Sequence, residues 1–544
     1  MNEHWDYVIV GAGSAGCVLA NRLSADPGTR VLLVEAGGED RHPAIPIPMG
    51  IGRTLLDPDL CWYYQTEPDD GNAGEPRIWM RGRVLGGSSS INGMMYCRGQ
   101  PEDYDGWVAR GARGWGWEAM SRAFRAIEDH ELGDDGVRGA GGPLHVSVRS
   151  PRTPLTEAVL DAAQDLGLRR REDVNRPDQE GIGYTPRTIR NGRRVSAADA
   201  FLAPARARPN LRVVTRTEVQ RLLFDGARAI GIAGRGPGGE VEFRGREIIV
   251  SCGTINTPKL LMLSGIGAGA ALHELGIPVR ADLPGVGRNL REHKTISMQL
   301  RLARDLSLNR QFSGWRLGLN LLRYALTRAG PLASTYDING FLRTQPGLSQ
   351  PDAQLTIWTL SFDKRADTFG LESFPGLMAM GYPLRTQSEG GIRLRSPDPA
   401  AAPIIQTRFL EAEHDRRVTI GLFRFMRRLF AHPRVAGFVA AETHPGAEID
   451  SDAAILDAAR RDQTCQHAVG TCRMGEDALA VLDARLRVRG IQGLRVMDLS
   501  AMPTQVSGNT NGPVMAMAWR AADLILEDTP PLKKGTFIIF APAA

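Results

Sequence analysis

Three glycines and a distant glutamate form the pattern in this chain that points most directly to chemistry. Gly11, Gly13 and Gly16 follow an apolar run at residues 7–10, and Glu35 ends the next apolar run. The first glycine of such a pattern allows a tight turn, the second lets the backbone approach a pyrophosphate, and the third lets a helix pack close to the strand. Glycine-rich turns also simply close loops. The strand, the helix and the carboxylate in register predict a site for an adenine dinucleotide.

A second cluster of glycines and serines lies at residues 82–92. Gly86 and Gly87 are adjacent, and three serines follow them, so N–H and hydroxyl groups are concentrated there. Such a segment either binds a strongly polar ligand or forms an Ω-loop held by its own side chains. The cluster alone leaves both interpretations open.

Five segments resemble the glucose–methanol–choline (GMC) family of flavin-dependent oxidoreductases. Residues 82–105 look like the first family signature and residues 253–267 like the second. Further segments similar to the family lie at 284–290, 467–475 and 507–513. These landmarks occur in family order over nearly the whole chain, which looks closest to bacterial choline dehydrogenases and to alcohol dehydrogenases.

The resemblance implies FAD as the cofactor and assigns residues to it. The first glycine-rich turn and Glu35 should hold the ADP half, while Val219 matches a contact to adenine and Asp498 a position beside the isoalloxazine. The complete set of cofactor residues expected in this way is Gly11, Gly13, Ser14, Ala15, Gly16, Glu35, Val84, Gly87, Asn92, Gly93, Met94, Met95, Val219, Asp498 and Asn511. Some members tether FAD through a histidine of the first signature. The matching position here is Ile91, which has no nucleophile, so we expect non-covalent FAD.

His467 and Asn509 match the catalytic positions of the family. Oxidation of an alcohol requires a proton to leave the hydroxyl as a hydride passes to flavin N5. A neutral imidazole, with an ordinary pKa of ~6.5, is a natural proton acceptor. We therefore expect His467 to be the general base and Asn509 to bind the substrate oxygen, although Asn511 could exchange roles with Asn509.

The other histidines have an ordinary explanation. A histidine taken at random lies more often on the surface or in a satisfied core than in an active site. We place His293, His432 and His444 in that class.

The resemblance implies oxidation of a primary alcohol to an aldehyde, with choline as the alternative substrate. In choline-oxidising members a glutamate stands eight residues after the histidine that follows segment 284–290, and the same count from His293 gives Arg301 here. A cation at that point would repel a trimethylammonium group, so we expect an uncharged alcohol. The count is gapless across a strand, so the alternative is that Arg301 points to solvent.

Electrons should pass to a quinone, another acceptor or O2. The alternatives from other classes are a non-oxidative FAD-binding protein of this fold and a nicotinamide dehydrogenase. The latter would need a site for a second dinucleotide.

Two interleaved domains must position these residues. Apolar runs predict strands of a parallel sheet, a helix follows the glycine-rich turn, and residues 419–430 predict an amphipathic helix. The predicted strands of this sheet are 7–10, Val31–Val34, 247–251 and 494–498, and residues 390–396 predict a strand of the second domain. The helix after the glycine-rich turn is 15–23, and a further helix is 513–526.

We expect an α/β fold, α+β overall, in which a Rossmann-type FAD-binding domain is interleaved with a substrate-binding domain that carries an antiparallel sheet. The predicted parts are 1–150, 205–305 and 460–530 for the FAD-binding domain, 151–204 and 306–459 for the substrate domain, and 531–544 for a tail.

Composition excludes several other classes. A net charge of +5, spread over 66 basic and 61 acidic residues, does not indicate a nucleic-acid partner. The sequence has no apolar run long enough to span a membrane and no signal peptide before the first strand, which predicts a cytoplasmic protein. Six scattered cysteines lack metal-site spacing, so we expect free thiols and no metal. Four apolar residues at 537–540 could contact a membrane surface or a partner, or simply pack or fray.

Overall fold

The computed structural model describes residues 4–363 and 370–528 of the chain. The predicted contact segment at 537–540 lies outside the described residues. The helices are α1 Ser14–Leu23, α2 Ile51–Thr54, α3 Pro101–Ala109, α4 Trp117–Ile127, α5 Pro154–Asp165, α6 Ala203–Ala205, α7 Gly253–Leu263, α8 Gly269–Glu274, α9 Gly314–Thr327, α10 Glu413–Ala431, α11 Pro433–Ala436, α12 Asp452–Arg461 and α13 Asn511–Asp528.

Strands occur along the whole described chain. They are β1 His4–Val10, β2 Val31–Val34, β3 Cys61–Gln65, β4 Ile78–Gly82, β5 Glu128–His130, β6 Leu144–Val146, β7 Gly181–Tyr184, β8 Ile189–Arg190, β9 Arg193–Arg194, β10 Leu211–Val214, β11 Glu218–Asp225, β12 Arg228–Gly236, β13 Gly239–Val250, β14 Ile266–Gly267, β15 Ala281–Asp282, β16 Ile296–Leu302, β17 Ile338–Leu342, β18 Ala353–Trp358, β19 Gly376–Pro383, β20 Gly391–Arg393, β21 Ile404–Gln406, β22 Val439–His444 and β23 Leu494–Val496.

The first large sheet has β1 near its centre. Its order is β10-β2-β1-β13-β12-β11, and β23 also pairs with β13. Strands β10, β2, β1, the second half of β13 and β23 are parallel, with Tyr7 opposite both Val31 and Glu247. Their side chains are mostly buried except in the edge strand β10, as expected for a parallel sheet covered on both faces. The predicted parallel strands are thereby confirmed.

Strand β13 is longer than its apolar run predicts. Residues 244–250 pair in parallel with β1, whereas residues 239–244 pair antiparallel with β12. The first half of β13 belongs to an antiparallel ribbon with β11 and β12, and its residues are exposed or half-buried. The apolar run in the sequence therefore predicts only the second half of β13.

The second large sheet is antiparallel and has the order β22-β16-β19-β18-β17-β7. Helix α10 packs against β16, β18 and β19 and contains the predicted helix at 419–430. The antiparallel second sheet confirms that part of the fold prediction. The domain limits stay predictions; the limit at residue 305 leaves β16 in the first domain, whereas β16 pairs in this second sheet.

Two helices meet at the carboxyl edge of the parallel strands. Helix α1 follows β1, and α13 follows the loop after β23; the two helices pack on each other. Their first residues therefore lie near the same edge of the sheet, where ligands bind in parallel α/β sheets. Within the described ranges, no helix is long and apolar enough to cross a membrane.

Candidate active site

The first glycine-rich turn joins β1 to α1 and brings the backbone to the wall of a cavity. Gly11 has a φ of +97°, and a Cβ there would lie 2.5 Å from the carbonyl oxygen of Ser251. A Cβ on Gly16 would lie 1.9 Å from the carbonyl oxygen of Gly11. An added Cβ on Gly13 would meet no heavy atom within 4 Å. Two glycines therefore close the turn, and the third leaves room for a ligand.

Glu35 follows β2, and its buried carboxylate holds this turn. Oε2 accepts a hydrogen bond from the N–H of Ala12 at 2.8 Å, and Oε1 accepts one from the N–H of Gly37 at 2.8 Å. Burial raises the pKa of Glu35, and these backbone bonds oppose that rise. Glu35 lines the cavity, and each oxygen has a second lone pair. The carboxylate can therefore hold the turn and accept from a ribose hydroxyl.

The amino terminus of α1 is free to bind an anion. Gly13 is the N-cap residue, and no side chain caps the helix. Ser14 and Ala15 line the cavity, and the Ser14 hydroxyl donates to Oδ1 of Asn511 at 2.7 Å. This bond links the start of α1 to the start of α13. Uncapped N–H groups and the helix dipole at this point favour a phosphate.

The first signature contributes a second wall. Gly87 has a φ of +54°, and a Cβ there would lie 2.7 Å from Cα of Gly13, so the two turns touch. Oδ1 of Asn92 accepts from the Arg194 guanidinium at 2.8 Å and from the N–H of Met94 at 3.0 Å. The members of this signature that line the cavity include Gly87, Ser88, Ile91, Asn92, Gly93, Met94 and Met95.

Two of the predicted cofactor residues do not line the cavity. Gly16 packs against the turn itself, and Val84 packs with Ile45, Leu60 and Cys61. Both support the wall from behind. The other predicted cofactor residues all line the cavity, Val219 of β11 among them.

Asp498 follows β23 and holds the start of α7. Its Oδ2 accepts from the N–H of Gly253 at 2.9 Å and from the hydroxyl of Thr257 at 2.6 Å, and its Oδ1 accepts from the N–H of Ser500 at 2.7 Å. Burial raises the pKa of Asp498, and these bonds oppose the rise. The carboxylate therefore positions the first turn of α7, which also lines the cavity.

All these walls enclose one cavity of about 1350 Å³. It is lined by Gly11, Glu35 and Val219 from the first sheet and also by His467 and Asn509. The glycine-rich turn, the uncapped helix and the Glu35 carboxylate fit a dinucleotide. The same cavity reaches the two predicted catalytic residues, as a redox cofactor requires.

His467 is placed beside His293 by a short pairing of two segments. Residues Arg291 and Lys294 form isolated bridges with Val469 and Thr464. As a result, Nδ1 of His293 lies 3.0 Å from Nδ1 of His467.

The hydrogen bonds around these two histidines define their tautomers. Nε2 of His293 lies 3.0 Å from the carbonyl oxygen of Leu384. Because a carbonyl only accepts, that Nε2 carries the proton, and Nδ1 of His293 is an acceptor. His467 must then donate from Nδ1, which leaves its Nε2 unprotonated. This assignment follows from the hydrogen-bond network.

Asn509 faces the unprotonated nitrogen of His467. Its Nδ2 lies 3.1 Å from Nε2 of His467. Its Oδ1 accepts from the Gln354 amide at 3.0 Å and from the Cys97 thiol at 3.2 Å. With Oδ1 occupied in this way, the amide must present its N–H side to His467. A lone pair and an N–H donor thus converge in the cavity.

Both histidines are held in the neutral form. Burial lowers the pKa of His293 to about 4. Burial also lowers the pKa of His467 well below its usual range, and His293 and Arg81 lower it further. A neutral imidazole can accept a proton, so the site supports a general base at neutral pH.

Glu292 fixes the backbone on which the two histidines sit. Its Oε1 accepts from the N–H of His293 at 2.9 Å and from the N–H of His467 at 2.7 Å, and Arg81 lies 3.8 Å from its Oε2. Burial raises the pKa of Glu292 to about 7. Glu292 therefore positions both rings without lining the cavity.

Sequence reasoning missed the residues that orient the catalytic pair. His293 was expected on the surface or in a satisfied core; it is fully buried and contacts His467 directly. The ring of Tyr382 stacks on that of His293 with centroids 4.3 Å apart, and its hydroxyl donates to Gln354 at 2.6 Å. The one signal in the sequence that could have indicated these residues was Gln354, since an amide inside an apolar strand needs a buried hydrogen-bond partner.

Arg301 is not part of the site. It lies on β16 with an exposed side chain over the ring of Phe374 and does not line the cavity. The expectation that Arg301 repels cationic substrates is therefore wrong. Thr295 and Ser297, nearer the start of the strand, line the cavity instead. Neither His432 nor His444 lines it.

Comparison with known proteins agrees with this geometry. Family models described as GMC oxidoreductase match residues 5–295 and 386–518. The chain belongs to the GMC oxidoreductase family. It is an oxidoreductase that uses FAD and acts on CH–OH groups, which confirms the predicted family, enzyme class and cofactor.

Its relatives within the GMC family cover nearly its full length. The mitochondrial choline dehydrogenase of Homo sapiens is 41% identical over 96% of this chain and 90% of its own. The alcohol dehydrogenase [acceptor] of Pseudomonas putida is 37% identical over 96% of both chains. Among solved structures, pyridoxine 4-oxidase from Mesorbium loti aligns with a TM-score of 0.87 and 32% identity, over 96% of this chain and 99% of that one.

Proposed function

We propose that this GMC oxidoreductase oxidises an uncharged primary alcohol to an aldehyde, with His467 as the general base and Asn509 as the donor to the substrate oxygen. The observation that carries this proposal is the pair formed by Nε2 of His467 and Nδ2 of Asn509, 3.1 Å apart at the cavity wall. The acceptor nitrogen takes the hydroxyl proton, and the amide N–H stabilises the oxygen as it loses that proton.

The residues that bind the cofactor are proposed because they line the same cavity or hold its wall. The glycine-rich turn, Glu35 and Val219 bind the ADP half, while Asp498 and Asn511 hold the two helices that border the rest of the cavity. FAD held there would supply the hydride acceptor for the carbinol carbon and a carrier of electrons to an external acceptor. Residues of this chain bind and orient both molecules and move the proton.

His293 and Glu292 act through His467. His293 accepts the Nδ1 proton of His467 and so keeps the basic lone pair on Nε2, the atom that faces Asn509. Glu292 accepts from the backbone N–H of both histidines and fixes the direction in which the rings point. Both are positioning residues.

The wall beside the catalytic pair suits an uncharged alcohol. Thr295 and Ser297 offer hydroxyls, and Met378 and Met380 of β19 offer adaptable apolar surface. These side chains are neutral and bind an alkyl or aryl group without the need for a counter-ion.

Choline is the second candidate, favoured by a specific observation. The rings of Tyr336 and Trp358 have centroids 4.5 Å apart, and Phe362 lies 5.8 Å from Trp358. All three line the cavity. Aromatic faces stabilise quaternary ammonium groups, and the human relative is a choline dehydrogenase.

The electron acceptor and the location extend the proposal. We propose a quinone or a similar acceptor, as the name of the Pseudomonas putida relative suggests, with O2 as the alternative acceptor. A cytoplasmic location is supported by six cysteines without a disulfide bond.

Anaerobic flavin reduction tests the proposed function. The yellow holoenzyme is mixed in a stopped-flow instrument with neutral primary alcohols and, separately, with choline. We expect neutral alcohols to bleach the visible flavin band of the wild type, and His467→Ala to slow this bleaching ~10²–10⁴-fold while keeping its FAD. The matched control is His273→Ala, which removes an exposed histidine from α8 and should leave the rate unchanged.

The possible outcomes separate the candidates. Bleaching by choline alone would replace the neutral alcohol with choline as substrate. Wild-type rates in His467→Ala would remove the general-base role. An absence of bleaching with every alcohol would favour a non-oxidative flavoprotein.

A further inference from the structure

Helix α9 turns its apolar side to solvent. Trp315, Leu319, Leu322 and Leu326 follow each other at spacings of four, three and four residues, so they form one stripe along the helix. All four are exposed, with Trp315 75% and Leu326 76% accessible. A surface helix of a globular protein normally buries such a stripe.

The opposite side of α9 is polar and buried, so the orientation is fixed. Asn320 donates to the carbonyl oxygen of Gln311 at 3.0 Å, and the hydroxyl of Tyr324 donates to the carbonyl oxygen of Gly192 at 2.9 Å. Asn320 is 7% and Tyr324 2% accessible. Rotating the helix to bury its leucines would break these bonds and expose the tyrosine. The exposed stripe is therefore a built feature of the fold.

The face of α9 opposite the stripe forms part of the wall of the cavity that holds the proposed active site. Leu317, on the face of α9 opposite the stripe, lines that cavity together with Phe312 just before the helix. Leu56, Tyr63 and Ile78 also line it and are exposed large apolar residues. Exposed apolar side chains thus occur both on α9 and on other segments of the cavity wall.

The charge around the stripe indicates what covers it. Arg316 and Arg323 lie on one flank of α9, and Arg328 follows its end. Arg316 shares Asp305 with Arg310. A helix with an apolar face that includes tryptophan, arginines beside it and a length of about 21 Å has the form of helices that lie in the interface of a membrane.

A second copy of the chain is a poorer occupant. The stripe offers on the order of 500 Å² per copy, less than the ~800 Å² that each partner buries in a stable protein interface. A dimer would also bring the arginines of two equivalent helices together.

We propose that α9 docks this protein on the surface of an anionic lipid bilayer. The stripe of Trp315, Leu319, Leu322 and Leu326 enters the interface, and the arginines contact acidic headgroups. The part of the cavity wall that α9 forms then lies close to the membrane, where apolar alcohols and membrane-soluble acceptors dissolve. The docking itself does not depend on which alcohol is oxidised.

Vesicle flotation of the full-length holoenzyme tests this proposal. The vesicles are phosphatidylcholine alone, or phosphatidylcholine mixed with phosphatidylglycerol. We expect flotation with the anionic vesicles and at least a tenfold loss of bound protein in the double variant Leu319→Glu/Leu322→Glu. The matched control is Val279→Glu/Leu479→Glu, which adds the same charge at exposed apolar residues away from the cavity and should float like the wild type. Flavin content and Tm show that each variant is folded.

Four results would overturn the proposal. The first is that the wild type floats with neither kind of vesicle. The second is that the α9 double variant floats as well as the wild type. The third is that flotation is lost only when residues 531–544 are deleted. The fourth is a dimer by light scattering that Leu319→Glu/Leu322→Glu dissociates, which would assign the stripe to a second copy. Equal binding to neutral vesicles would retain the docking but remove the role of the arginines. None of these results depends on turnover, so the failure of this proposal and that of the proposed function are distinguishable.

Discussion

At the scale of single residues, the position of one proton decides what His467 can do. The carbonyl oxygen of Leu384 requires a proton on Nε2 of His293, and that proton determines every following donor and acceptor up to Asn509. An imidazole has two possible tautomers, and only one of them presents a lone pair to the cavity.

The buried neutral state of His293 predicts a pH effect on stability. Its folded pKa is about 4, below the ordinary value of ~6.5. Between these values the unfolded chain binds a proton that the folded chain does not, so stability is full above pH ~6.5 and falls as the pH drops through that value. The wild type should therefore lose free energy of unfolding between pH 8 and pH 5. We expect this loss to be smaller in His293→Gln by on the order of 2 kcal/mol.

Denaturant unfolding of both proteins at several pH values measures this difference. The control is His273→Gln on the exposed side of α8, which should follow the wild type at every pH. Parallel curves for the wild type and His293→Gln would contradict a neutral buried His293.

At the scale of elements, the turn before α1 combines two kinds of glycine. Gly16 is required by close packing within the protein, because its Cβ would collide with a backbone oxygen. Gly13 has a φ of −74° and open space around it, so the protein alone does not require a glycine there. A ligand that lies against the backbone would require a glycine at this position.

This difference predicts different effects for two similar substitutions. Gly16→Ala should lower the free energy of unfolding of the apoprotein by about 2 kcal/mol or more, since overpacking cannot be relieved by a flexible side chain. Gly13→Ala should change it by less than about 1 kcal/mol but weaken FAD binding at least tenfold. Thermal unfolding of the apoproteins and titration with FAD measure both effects. Wild-type FAD affinity in Gly13→Ala would mean that no ligand approaches this turn.

The elements also show where sequence patterns are sufficient. The apolar run of β2 and the helix after the glycine-rich turn are local, and the structure confirms both. Gln354 and Tyr382 reach Asn509 and His293 only because β18 and β19 pair in a particular register, with Gln354 opposite Tyr382. Because register depends on packing between distant segments, it could not be predicted from the sequence pattern of either strand. The count from His293 to Arg301 failed for the same reason.

At the scale of the whole molecule, the proposed cofactor site joins segments that are far apart in the chain. The turn at 11–16, the signature at 82–95 and the helix start at 511 meet through contacts such as Gly87 with Gly13 and Ser14 with Asn511. The motifs could be predicted because each needs only its own residues. The six-stranded sheet and its helix α10 gave few such signals, because antiparallel strands and amphipathic helices of this kind occur in many folds.

A dissociable cofactor at such a junction should control the stability of the whole molecule. Ile91, at the position of the covalent tether in some relatives, lines the cavity without a nucleophile, so we expect acid precipitation to leave the yellow colour in the supernatant. Adding FAD to the apoprotein should then raise Tm, and the stabilisation should grow with the logarithm of the FAD concentration, reaching ~2.7 kcal/mol at a hundredfold excess over Kd. A glycine-rich turn that holds FAD weakly, as in Gly13→Ala, should need more FAD for the same rise. Yellow colour that stays with the acid precipitate would show a covalent bond and contradict the non-covalent site.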